Sequence, residues 1–190
     1  MTTLKMVILG RQGSGKGTQS LRICEAYGCV HVSTGDMLRS AVEQGTELGR
    51  QASQTMEAGG LVSDETMNGI VAQRLSRRDI AERGVLLDGF PRTAEQANAL
   101  ERILYDLGER LTVAVNLEVP TKTVTERMLG RGRGDDTPEA IQRRLNLYEQ
   151  QTTPLLQWFD SRSLLCTVDG VGTEDEVFAR IRAVVSPAGR

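Results

Sequence analysis

The segment Gly10-Arg11-Gln12-Gly13-Ser14-Gly15-Lys16-Gly17-Thr18 matches G-x-x-x-x-G-K. Glycines let successive backbone N–H groups turn inward on an anion, and a helix start behind them adds partial positive charge. Lys16 supplies a compact cation for the outer phosphates. A tight turn of small residues would explain the glycines but not the lysine, one of only three in the chain. The segment predicts a triphosphate site. Where this motif usually places a Ser or Thr ligand for Mg²⁺, the chain has Gly17, with Thr18 one position later. That predicts Mg²⁺ held by nucleotide phosphates and water, with no direct protein ligand. It also disfavours a switch GTPase.

Three further segments carry chemistry. In Ser33-Thr34-Gly35-Asp36-Met37-Leu38-Arg39, Ser33 or Thr34 caps a helix and Arg39 lies about a turn inside it. In Asp88-Gly89-Phe90-Pro91-Arg92-Thr93, Asp88 ends an apolar run, where an acid needs a cationic or metal-bound partner. Arg92 offers a forked donor for phosphate, and Gln96 shares its helix face, placed to read a base edge. In Gly130–Asp136, Arg131 and Arg133 alternate with glycines before Asp135 and Asp136. Alone, that is a self-neutralising surface loop; beside a phosphate site it has the makings of a closing lid.

The elements that must position these loops alternate regularly. Leu4–Leu9, Val30–Val32, Gly84–Leu87, Leu111–Leu117 and Leu164–Val168 read as short strands. Helices are expected after the first loop to Tyr27 with Gly28 as its stop, in two pieces between Ser33 and Gly60, from Ser63, and from Thr93 to about Leu107. Others are expected from Pro120 to Leu129, from Pro138, and over Thr173–Val185. Alternation of this kind predicts a parallel sheet sandwiched by helices, with ligands at the carboxyl ends of its strands.

GRQGSGKGTQ, STGDMLR and LLDGFPRT, in this order and spacing, resemble adenylate kinase, and RGRGDD agrees with the short-lid form. The likeness runs from about Leu4 to Arg182. It implies an α/β three-layer P-loop fold, a five-stranded parallel sheet with helices on both faces. It implies a core over 1–32, 63–129 and 137–190, an AMP-binding lobe over 33–62 and a lid over 130–136. The implied reaction is ATP + AMP ⇌ 2 ADP with Mg²⁺. Gly13, Ser14, Gly15, Lys16, Gly17 and Thr18 would bind the ATP phosphates. Arg127 would stack on the donor adenine, Arg131 would contact ATP, and Gly172 would offer backbone to the donor base. On the AMP side stand Thr34, Arg39, the backbone of Gly60, Leu61 and Val62, then Gly89, Phe90, Pro91 and Arg92, with Gln96 reading the adenine. Arg133 and Arg144 would meet the transferring phosphoryl group and AMP.

Lys16, Arg92, Arg133 and Arg144 would spread positive charge, and Asp88 would orient Mg²⁺-bound water. The AMP phosphate is already anionic, so no general base is expected, and the sole histidine, His31, reads as structural. The similar UMP/CMP kinases usually carry alanine in place of Thr34, so Thr34 and Gln96 favour AMP over that alternative. Gln12 departs from the family's usual proline.

Composition bounds the rest. Lys+Arg is 23 against Asp+Glu 25, a formal net charge of −2, which argues against a nonspecific nucleic-acid binder. Twenty of the cations are arginine, a minority of which the motifs recruit. Cys24, Cys29 and Cys166 form neither an even disulfide framework nor a zinc knuckle, so free thiols and no structural zinc are expected. The N-terminal apolar run is too short for a signal peptide, and no stretch suits a membrane span. The expectation is a cytoplasmic monomer whose partners are ATP, AMP and ADP.

Overall fold

β1 (Lys5–Gly10) is buried at all six positions, as a central strand covered on both faces must be. A computed structural model describes residues 3–47, 49–50, 53, 62–131 and 137–185. β1 leads through the glycine loop into α1 (Lys16–Tyr27), which ends where Gly28 turns left-handed at φ 72°. β2 (Val30–Ser33) passes directly into α2 (Thr34–Glu43). Ser63 caps α3 (Asp64–Leu75), accepting from Thr66 N. A separate short helix, α4 (Arg78–Arg83), precedes β3 (Val85–Asp88). α5 (Ala94–Asp106), β4 (Val113–Glu118) and α6 (Thr121–Arg131) follow. α7 (Pro138–Asp160), β5 (Leu165–Asp169) and α8 (Glu174–Val184) complete the described chain.

The five strands are parallel in the order β2-β3-β1-β4-β5. Period-two alternation sends Val7 and Leu9 to one face, under α3, α5 and α7. Met6 and Ile8 go to the other, under Ile23 of α1 and Val177 and Ile181 of α8. These are the three layers expected from the sequence. A smaller cluster of Val119, Val124, Met128, Ile141 and Leu145 joins α6 to α7.

The register positions the loops. Asp88 lies opposite Ile8 on one side and Ser33 on the other, so the segments after β1, β2 and β3 leave the sheet side by side. The break between α3 and α4 was not foreseen. Arg74 clamps Asp79 across it with two hydrogen bonds of 2.9 and 2.7 Å.

Candidate active site

The carboxyl edge of β1, β2 and β3 opens into a cleft of about 640 Å³, within the size range of small-molecule sites. Its walls come from the loop 10–18, the start of α2, the turn after β3, and one face each of α6 and α7.

The glycine loop is held open by backbone geometry. Gly13 has φ 84°, and a Cβ there would meet Val124 O at 2.8 Å. Gly15, at φ 96°, is the N-cap of α1 and brings no capping side chain, so the first-turn N–H groups of α1 keep no side-chain acceptor. A Cβ on Gly15 or Gly17 would meet nothing within 4 Å. Lys16 Nζ donates to Gly10 O at 2.7 Å and Arg11 O at 2.9 Å, folding its charge over the loop. Ser14 is buried beneath the loop and does not line the cleft.

Arg11, which the motif leaves unspecified, anchors this loop. Its guanidinium pairs with Glu149, donates to Val119 O at 3.3 Å and lies 5.4 Å from the Tyr148 ring centroid. Burial pushes the Tyr148 phenol up to about 12, with Arg11 opposing and Glu149 and Glu118 reinforcing. Contacts with α7 and with Val119 after β4 reveal this role; the sequence around Arg11 carries no signal for it.

Ser33, not Thr34, caps α2, with its hydroxyl accepting from Asp36 N at 3.3 Å. Thr34 is buried at the first helical position, its hydroxyl 3.4 Å from Asp88 O. Arg39 pairs with Asp36. Burial raises the Asp36 carboxyl, but the Arg39 and Ser33 hydrogen bonds outweigh it and hold the group below its ordinary value.

After β3, Asp88 lies 3.7 Å from His31 Nε2, and both line the cleft. Arg92 faces the cleft opening, and its Nε donates to Gly89 O at 2.8 Å. The protein atoms ringing the Arg92 guanidinium push it below the usual arginine range. Asp88 counteracts that, and the charges of Arg144 and Arg39 add to it. An arginine so shifted remains a cation. Phe90 turns away from the cleft: its side chain is 1 % exposed and packs in the core beneath α3 and α5. Gln96 is buried in the cleft wall. Its Oε1 accepts from Arg92 N at 2.7 Å, and its Nε2 donates to Asp64 Oδ1 at 2.7 Å. Asp64 opens the helix capped by Ser63, and no local pattern in the sequence links it to Gln96.

The cleft thus brings together Gly13, Gly15, Lys16, Gly17, Thr18, Thr34, Arg39, Val62, Asp88, Gly89, Pro91, Arg92, Gln96, Arg127 and Arg144. Arg127 reaches across from α6 to donate to Gly13 O at 3.4 Å. Gly172 is not in the lining; a Cβ there would meet Glu176 Oε2 at 2.6 Å, next to the cap of α8. Gly60, Leu61, Arg133 and the side chain of Arg131 lie outside the described residues. Among the described lining residues, Lys16, Arg39, Arg92, Arg127 and Arg144 face two carboxylates, Asp36 and Asp88. A cationic cleft in a chain of net charge −2 is arranged for a polyanion.

A family model for adenylate kinase matches residues 8–164. The chain belongs to the adenylate kinase family. An adenylate kinase of Stenotrophomonas maltophilia strain K279a is 47% identical over 186 residues, covering 96% of this chain and 99% of that one. One from Xylella fastidiosa strain 9a5c is 47% identical over 182 residues, covering 94% and 97%. One from Mycobacteroides abscessus is 46% identical over 177 residues, covering 93% and 96%. Membership of the adenylate kinase family makes the chain a nucleotide-binding phosphotransferase, and these matches lend no support to the UMP/CMP alternative. Among the described residues no helix is long and apolar enough to cross a membrane. Nor is any group of three or more His, Cys, Asp or Glu side chains placed to hold a metal ion.

Proposed function

We propose that the cleft transfers the terminal phosphoryl group of ATP to AMP, reversibly, giving two ADP. The observation that carries this reading is five cations converging on one cleft from five separate chain segments. The donor triphosphate lies over the loop 13–18 at the N-terminus of α1, where backbone N–H groups and Lys16 meet its charge. AMP lies on the side of Thr34, Arg39, Gly89, Pro91, Arg92 and Gln96, with Val62 beside its base. Arg144, joined by Arg133 as the lid over 130–136 closes, neutralises the phosphoryl group in flight; Arg131 contacts ATP and Arg127 packs against the donor. The lobe over 33–62 closes on AMP in the same movement.

The reaction needs no general base, because the attacking AMP oxygen is already anionic. Catalysis is alignment plus charge stabilisation, with closure excluding water as a competing acceptor. The residues present suit Mg²⁺ brought in with ATP. Gly17 offers no ligand, Asp36 is paired with Arg39, and Asp88 is left facing the cleft to hold metal-bound water. When bound, Mg²⁺ neutralises charge on the phosphate oxygens. The protein works as a cytoplasmic monomer.

The test is ADP formation from Mg-ATP with AMP, CMP, UMP, GMP or no acceptor. Turnover with AMP far above the others is expected. Equal turnover without acceptor, or with UMP, would overturn the reading.

A further inference from the structure

The two ends of the buried Gln96 amide are held by partners of opposite and fixed sense. The Arg92 backbone N–H can only donate, and it meets Oε1. The Asp64 carboxylate can only accept, and it meets Nε2. Both contacts demand the same amide orientation. Asp64 is itself fixed, because its Oδ2 accepts from the Thr93 hydroxyl at 3.1 Å. That hydroxyl also caps α5 by accepting from Gln96 N at 3.1 Å. A primary amide carries two N–H groups and an oxygen with two lone pairs. One N–H and one lone pair of Gln96 therefore remain, on a side chain that lines the cleft.

We infer that Asp64 is a positioning residue that decides which class of base the acceptor site takes. By locking the Gln96 amide, it selects bases that present an exocyclic amino donor beside a ring-nitrogen acceptor, as adenine and cytosine do. It rejects bases that present a carbonyl beside a ring N–H, as hypoxanthine, guanine and uracil do. The inference rests on the reading that Gln96 meets the acceptor base. A free amide turns over about its terminal torsion, whose two wells are similar, and serves either class. Here the turned amide would set Oε1 against a carboxylate and Nε2 against an N–H, leaving buried polar groups unpaired. Asp64 acts on the base only through Gln96. A carboxylate that merely docked α3 on α5 would affect all acceptors alike.

The experiment compares kcat/KM for AMP and for IMP, whose bases differ at this edge alone. The ratio of the two is independent of the fraction of enzyme folded. Asp64→Asn keeps the shape but presents either a donor or an acceptor, so one of the two constraints is lost while Arg92 N–H persists. The AMP/IMP ratio is expected to fall about tenfold, the worth of one hydrogen bond to a charged group, with the KM for ATP unchanged. Asp64→Ser, whose hydroxyl also donates and accepts, is expected to move the ratio the same way and serves if the first variant is unstable. Gln96→Ala is expected to collapse the ratio. If Gln96→Ala does so while both Asp64 variants keep the wild-type ratio, the role of Asp64 is overturned and base reading by Gln96 stands. If Gln96→Ala keeps the wild-type ratio, both are overturned.

Discussion

Arg92 shows how one residue's surroundings define its use. Asp88, Arg144 and Arg39 all act on its guanidinium, and Gly89 O fixes its reach. Two neighbouring like charges are an expense in an empty site and an advantage once a dianionic phosphate lies between them. Arg92→Ala is therefore expected to raise the apparent KM for AMP by one to two orders of magnitude, about the worth of a charge-assisted bidentate contact. The KM for ATP is expected to change by less than about threefold. Steady-state titration of each nucleotide at saturating partner checks this, and equal losses on both sides would remove Arg92 from the acceptor side. Some arginines outside the motifs have structural work instead. Arg74 bridges α3 and α4, and Arg83 donates to Gly28 O at 3.0 Å, at the end of α1.

At the scale of elements, the glycine loop depends on its seat against α6 as much as on its own glycines. Gly13 combines a left-handed φ with a Cβ position 2.8 Å from Val124 O and 3.1 Å from Met128 Cγ. Gly13→Ala must shift either the loop or the buried face of α6, Val124 and Met128, against it. The expected cost is about 1–3 kcal/mol, read as a fall of several degrees in the nucleotide-free melting temperature. A rise in KM for ATP larger than that for AMP is expected alongside. The loop's own glycines were legible in the sequence. Its clamp to α7 through Arg11, Tyr148 and Glu149 was not, because those partners lie more than a hundred residues away and no local pattern links them.

For the whole molecule, charge is nearly balanced in total and uneven in place: in the cleft five cations face two carboxylates. Having only three lysines, the chain has few groups that titrate at high pH, so Tyr148 stands out. Its pKa in the folded state, raised to about 12, exceeds the roughly 10 of a free tyrosine. A raised folded value gives stability that is whole below about pH 10 and lost as pH climbs toward about 12. Tyr148→Phe is expected to flatten the fall of unfolding free energy across that window by up to about 2 kcal/mol. Urea titrations at several pH values measure it, and parallel curves for the two proteins would refute it.

The sequence alone determined the alternation of strands and helices, the stop at Gly28, the helix start at Ser63, the glycine loop and the family. Each of these is written in neighbouring residues, because backbone conformation, capping and apolar period are local. The resemblance implied a common cleft for Arg39, Arg92, Arg127 and Arg144, but only the tertiary structure decided that Phe90 faces the core and that Asp64 holds Gln96. These depend on the register that sets Ser33 beside Asp88 and on how α3, α5 and α7 seat on the sheet. Charges and hydrogen-bonding groups have no sequence period of their own, so their partners emerge only when the elements carrying them pack.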